Sequence, residues 1–154
     1  MIKIIDAHTE EHYQKTRELF VQYADSLDFD LEFQGFSTEL AGRPGDYAPP
    51  QGCILLAEDS GQPAGCVALR PLEEKICEMK RLYVRSDHRG RGIGRMLACS
   101  VIDRAREIGY EKMRLDTIVT MKEARTLYYS LEFRNIKAYR YNPFDDASYM
   151  ELEL

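Results

Sequence analysis

Three glycines on alternate positions, Gly90, Gly92 and Gly94, lie within the run Arg85-Ser86-Asp87-His88-Arg89-Gly90-Arg91-Gly92-Ile93-Gly94-Arg95. An apolar, strand-like stretch precedes them, and residues of helical period follow. Few folds accommodate such a junction. Glycine takes backbone conformations that other residues avoid and lets a ligand come close to the main chain. The first turn of a helix leaves about four N–H groups unpaired, and the helix dipole adds roughly half a positive charge there. The run therefore predicts a strand-turn-helix unit whose turn holds phosphate oxygens, with Arg89, Arg91 and Arg95 adding to the positive field.

Charge distribution points the same way. The chain of 154 residues carries a net charge of -5, yet Glu78 to Arg125 holds twelve Lys/Arg against seven Asp/Glu. The middle suits a polyanion and the acidic flanks suit a cationic partner. Nucleic acid is a poor candidate, because the whole chain is acidic and its basic residues lack interleaved aromatics. A small phosphorylated ligand fits better. No stretch of about 18 apolar residues is present, which argues against a membrane span. Met1-Ile2-Lys3-Ile4-Ile5-Asp6 is too short for the apolar core of a signal peptide. Cys53, Cys66, Cys77 and Cys99 are widely spaced, without the close pairs a structural zinc needs, and read as reduced thiols in a cytoplasmic protein.

Periodicity predicts one continuous α/β domain, 1–154, without repeats or linkers. A strand at 2–6 leads to a helix capped by Thr9 and running to about residue 27, marked by Tyr13, Phe20, Tyr23, Ala24 and Leu27. A shorter helix is expected at about 35–42, before Arg43-Pro44-Gly45. Strands follow at 53–58, 64–72 and 75–85, with a turn at Asp59-Ser60-Gly61-Gln62 between the first two. A helix over 91–108 ends at Gly109, a strand covers 112–118, and Ala124, Leu127, Tyr128 and Leu131 mark another helix. Two closing strands are expected at about 134–141 and 147–154. In the strand at 75–85 the apolar phase changes: Cys77 and Met79 are odd, Leu82 and Val84 even. Either a β-bulge lies between Met79 and Leu82, or Lys80-Arg81 is an excursion into solvent.

The glycine turn lacks the G-K-[ST] of a P-loop, and its spacing and position differ from the dinucleotide G-x-G-x-x-G. Arg89-x-x-Gly92-x-Gly94 instead resembles the R/Q-x-x-G-x-G/A signature of the GNAT N-acetyltransferase superfamily. Leu82-Tyr83-Val84 resembles the strand end before the family loop, and Ala124 to Phe133 resembles its later A-x-x-L-Y-x-x-L-G-F helix. The order of elements is similar over nearly the whole chain. The resemblance implies an acyl-CoA N-acyltransferase fold, with a central mixed sheet of about seven strands, about four helices, and a splay between the fourth and fifth strands. It implies acetyl-CoA as acyl donor, main-chain pairing of Leu82, Tyr83 and Val84 with the pantetheine arm, and a pyrophosphate held by Arg89, Gly90, Arg91, Gly92, Ile93, Gly94 and Arg95. It also allows a homodimer. Two residues depart from the pattern: Met121 stands where the family often has Asn, and Glu132 where it usually has Gly.

The implied reaction is direct acetyl transfer to a primary amine, which needs a neutral amine, a stabilised oxyanion and a protonated leaving thiolate. Tyr128 aligns with the family's general acid; a packed helix aromatic is the plainer reading, and Tyr129 is an adjacent phenol. Glu78 matches a position that supplies the base, directly or through water, in some relatives; an ordinary strand carboxylate paired with Lys80 or Arg114 is at least as good a reading, and loss of the amine proton to bulk solvent is the alternative. By the same resemblance, a backbone N–H near Leu82 stabilises the oxyanion. Asp25, Asp28, Asp30, Glu32, Glu39 and Asp46, with Tyr47, Tyr139 and Tyr141, suggest a small cationic or amino-acid-like acceptor. A non-catalytic acyl-CoA-binding module is the alternative. His8 and His12 lack a third ligand for a metal, and Phe33 sits where a calcium loop requires glycine.

Overall fold

The alternating apolar runs form seven strands in one mixed sheet. The computed structural model describes residues 1–27, 45–118, 121–140 and 147–154. In chain order the elements are β1 (Ile2–Asp6), α1 (Glu10–Asp25), β2 (Cys53–Asp59), β3 (Gln62–Glu73), β4 (Ile76–Val84), α2 (Ile93–Ile108), β5 (Lys112–Ile118), α3 (Lys122–Ser130), β6 (Arg134–Ile136) and β7 (Ala147–Glu153). Short 3-10 turns occupy Gly45–Tyr47 and Ser86–His88. The strand order is β1-β2-β3-β4-β5-β7-β6, antiparallel throughout except for β4 against β5. The expected helix at 35–42 lies outside the described residues.

Side chains alternate between two cores. Odd positions of β2, β4 and β5, such as Leu55, Cys77, Met79, Met113 and Leu115, pack against Leu97, Val101 and Ala105 of α2 and Tyr128 of α3. Even positions of β2 and β3, Ile54, Leu56, Cys66 and Ala68, pack against Leu19 and Phe20 of α1 and against Tyr47. Helix ends follow their sequence signals. The Thr9 hydroxyl accepts the His12 N–H at 3.1 Å, and Gly109, at φ 108°, closes α2.

β4 holds the feature that shapes the site. Ala68 pairs with Lys80 and Cys66 with Tyr83, so β4 has one residue more than β3 across this interval. Arg81 takes up the excess at φ 60°. The bulge accounts for the phase change, and Lys80 and Arg81 are buried (5% and 4% exposed) rather than turned to solvent. β4 and β5 pair only at Ile76 with Lys112, Cys77 with Met113 and Glu78 with Arg114, then separate.

The first closing strand is shorter than expected. β6 stops at Ile136 because the following residues bond across the sheet face. Tyr139 Oη donates to Glu78 at 2.7 Å, Arg140 pairs with Glu78, and Tyr149 Oη donates to the Arg140 carbonyl at 3.0 Å.

Glu132 resolves one departure from the family pattern. It adopts φ 75°, with its N–H donated to Tyr129 O and the Phe133 N–H donated to Tyr128 O. This is a Schellman ending in which glycine would be unstrained. A left-handed non-glycine residue costs about 1–2 kcal/mol, partly offset by about 0.4–1 kcal/mol of unfolded-state freedom that glycine adds. Glu132→Gly should therefore raise stability by about 0.5–1 kcal/mol in urea denaturation; a loss of stability would contradict this account of the helix end.

Candidate active site

The loop after β4 has the geometry of an anion cradle. Gly90 and Gly92 sit at φ 80° and 77°, and Gly92 caps α2. Both positions require the left-handed region that glycine enters freely. The first N–H closed within α2 is that of Met96, bonded to Gly92 O at 3.1 Å, so the main-chain donors of Ile93, Gly94 and Arg95 have no helical partner. The arginine side chains turn aside. Arg89 Nε donates to Val84 O at 3.2 Å, Arg91 pairs with Asp59 at 3.0 Å, and Arg95 donates to Ser130 Oγ at 2.6 Å. The loop therefore presents main-chain donors, and the guanidinium groups add to the positive field around them.

A cleft of about 640 Å³ runs from this loop along β4. Leu82, Tyr83 and Val84 form one wall, with Arg89, Gly90, Gly92, Ile93 and Gly94 at one end. Met121, Ala124 and Leu127 close the side near α3, and Tyr23, Ser26 and Leu27 close it near the end of α1. Of the loop residues named from sequence, Arg91 and Arg95 do not line it. Past Glu78 no strand among the described residues pairs with the β5-facing edge of β4. An unpaired strand edge, an apolar wall and an N–H cradle in series suit a ligand with an extended amide chain and a diphosphate. Met121 N-caps α3 without a side-chain bond and accepts only a weak contact from Thr117 Oγ1 at 3.4 Å.

Tyr128 and Tyr129 part company. Tyr129 is 44% exposed and bonded to Asn135, whereas Tyr128 is 7% exposed and packs on Phe133 at 5.6 Å between ring centroids. Burial drives the Tyr128 phenol well above its ordinary pKa, with smaller contributions from Tyr23 and Asp116. Tyr128 packs in the core under α2, while Tyr23 and Asp116 belong to the layer under α1.

Glu78 is wholly buried (0% exposed) at the point where the strands part. Its partners are not Lys80 or Arg114. Arg70 binds Oε1 at 2.8 Å, while Tyr139 and Arg140 bind Oε2. Arg114 turns to Glu151 at 2.8 Å. The register sets Arg70, Glu78, Arg114, Glu151 and Arg134 side by side across five strands, in alternating charge. Tyr139 lies against this row, its ring 4.9 Å from the Arg140 guanidinium and 5.2 Å from the Tyr149 ring.

Among the residues expected to surround the acceptor, Tyr47 is instead core, 2% exposed beside Phe20. Asp46 pairs with Arg70 at 3.6 Å, and Asp25 is exposed on α1. Asp28, Asp30, Glu32, Glu39 and Tyr141 lie outside the described residues. One acid was missed from sequence: Asp116, on β5 beyond the last pair with β4, whose Oδ2 is buried without a hydrogen-bond partner. The alternation Lys112, Arg114, Asp116 on a strand with apolar odd positions was its available signal.

The cysteines stay out of this chemistry. All four are free, and burial pushes the Cys53 and Cys77 thiols up to about 12, leaving them protonated and poorly nucleophilic. Among the described residues no group of His, Cys, Asp and Glu is arranged to hold a metal, and no helix is long and apolar enough to cross a membrane.

The model of the acetyltransferase (GNAT) family matches residues 6–133. A protein of Schizosaccharomyces pombe, named an uncharacterized N-acetyltransferase, is 40% identical over 88% of this chain and 85% of its own length. Mouse N-acetyltransferase 8 is 37% identical over 63% of this chain and 45% of its own length. The fold matches a GNAT-family acetyltransferase of Staphylococcus aureus, with TM-score 0.81, 21% identity, and 99% of each chain covered. It also matches the PaiA N-acetyltransferase of Thermoplasma acidophilum, solved in complex with coenzyme A, with TM-score 0.77, 16% identity, and 100% and 99% covered.

The loop geometry makes a direct prediction. A Cβ at position 92 meets nothing within 4 Å, but the backbone there is left-handed, so Gly92→Ala should strain the cradle by about 1–2 kcal/mol. Calorimetry should record roughly tenfold weaker acetyl-CoA binding, while Gly94→Ala, with ordinary contacts to Val84 and Leu127, should change it little. Equal affinities in wild type and Gly92→Ala would remove the cradle from the binding site. On both the match of its sequence and the geometry of its sheet, the chain belongs to the GNAT family of acetyltransferases, for which acetyl-CoA is the acyl donor.

Proposed function

We propose that this single domain, 1–154, transfers the acetyl group of acetyl-CoA directly to a primary amine of a small cationic or amino-acid-like acceptor. The observation that carries this is the position of Tyr128. Its side chain is buried in the core under α2, next in sequence to Leu127 of the cleft wall, and burial keeps the phenol protonated far above neutral pH.

The residues divide the work. Main-chain N–H groups from Arg89 to Arg95 hold the pyrophosphate, and Leu82 to Val84 pair with the pantetheine arm along the open edge of β4. Arg81 and Leu82 fall between the last pairs with β3, which frees a backbone N–H near Leu82 to face the developing oxyanion. Tyr128 donates its proton to the departing sulfur. Glu78, held by Arg70, Arg140 and Tyr139, anchors the wall of the acceptor pocket; a part in deprotonating the amine requires relay through these partners or water. Asp116, with Tyr149 opposite it and Tyr139 against Tyr149, favours a cation over an anion at this end of the sheet. Four free thiols fit a reducing compartment such as the cytoplasm.

Acetylation of a panel of cationic, neutral and anionic amines, followed by CoA release, tests the reaction and the acceptor class together; turnover confined to anionic acceptors would count against the class. Tyr128→Phe should lower kcat by about 10²–10⁴-fold with acetyl-CoA affinity unchanged, and Tyr129→Phe should leave kcat within about threefold. A Tyr128→Phe enzyme as active as wild type would remove Tyr128 as acid. Acetyl-CoA binding without turnover of any amine would favour a non-catalytic binding module.

A further inference from the structure

Among the acids on the sheet face under α1, Asp116 stands apart. Glu78 and Glu151 are both ion-paired, whereas Asp116 Oδ2 is buried with no hydrogen-bond partner, and no ion pair reaches Asp116 among the described residues. A buried polar oxygen left unpaired costs about 1–3 kcal/mol, and more when charged. Asp116 lies two residues past Arg114, the last partner of β4, where the two strands have parted.

Its surroundings have the character of an ammonium receptor. Tyr149 faces it directly from β7, and the Tyr139 ring packs edge-on against that of Tyr149 at 5.2 Å, which sets two phenols on the same side of the sheet as the carboxylate. The charged groups nearby are engaged elsewhere. Arg114, on the same strand, is bound to Glu151; Arg140 and Arg70 are bound to Glu78; Lys80 of β4 has interactions of its own. One carboxylate oxygen therefore remains without a hydrogen-bond partner, across from Tyr149 on the neighbouring strand.

We propose that Asp116 receives the ammonium group of the acceptor and takes a proton from it before attack. This rests on the transfer reaction proposed above and adds its base. Asp116 Oδ2 accepts one N–H proton, leaving a neutral amine whose lone pair forms the C–N bond to the thioester carbonyl carbon. The C–S bond breaks as Tyr128 gives its proton to sulfur. The second proton lost by nitrogen restores the Tyr128 phenol, and Asp116 releases the first to solvent. The products are the acetamide, free CoA thiol and one proton per turnover. Glu78 then serves as a positioning residue that holds Tyr139 over the same pocket.

The test is Asp116→Asn, assayed with the best amine of the panel across pH 6 to 10. The variant must rely on amine already neutral in solution. Its kcat/KM should fall about 100-fold or more at neutral pH and then climb about tenfold per pH unit towards the pKa of the amine, while wild type changes less steeply. Asp116→Glu should restore part of the neutral-pH activity. Acetyl-CoA affinity, measured by calorimetry, should stay within about threefold in both variants, because Asp116 does not line the acetyl-CoA cleft; this also verifies that they are folded. A kcat/KM within threefold of wild type with an unchanged pH profile would overturn the role of Asp116 while leaving the transfer reaction standing. A wild-type protein inert to every amine would overturn the transfer reaction itself.

Discussion

The separation of β4 from β5 after Glu78 and Arg114 is the constraint on which the rest of the molecule depends. Parallel neighbours in a sheet normally satisfy one another's main-chain groups to their ends. Here the pairing stops after three residues, and two devices account for it. The extra residue at Arg81 turns the end of β4 towards the loop, and the register of β5 with β7, maintained from Lys112 to Ile118, holds β5 on its own course. Strand ends that would otherwise pair are left available to a ligand.

The row of alternating charges pins the point of separation. Arg70, Glu78, Arg114, Glu151 and Arg134 lie side by side, and Glu78, with no exposure, is compensated by two guanidinium groups and a phenol. Removing one partner from such a pair leaves a buried charge uncompensated, which is far costlier than loss of the pair as a whole. The row therefore specifies register more than it adds stability. Because Tyr139 and Arg140 reach over it, the residues just after β6 leave the sheet edge and cover Glu78.

Most of the architecture was legible in the residues. Gly90 and Gly92 marked the left-handed turns, Thr9 and Gly109 marked helix ends, and the phase change from Met79 to Leu82 marked a bulge, because each of these is a local consequence of backbone sterics or strand period. What sequence assigned less well was the direction of long side chains. The side chains of Arg91 and Arg95 pair with Asp59 and Ser130, whatever their main chain holds; Tyr47, read as pocket, is core; Glu78, read beside Lys80 or Arg114, binds Arg70 and Arg140. Each of these outcomes depends on a partner distant in the chain, so no local pattern encodes it.

By itself the sequence determined the order of elements, the glycine cradle at the start of α2 and the family to which the chain belongs, since hydrophobic period, glycine placement and a contiguous motif are properties of neighbouring residues. Only the tertiary structure buried Tyr128, left Tyr129 at the surface and drew Asp116 into view. Helix rotation buries one of two adjacent phenols and exposes the other. Strand register, fixed by pairing across the sheet, decides which carboxylates find guanidinium partners and which one is left facing the gap.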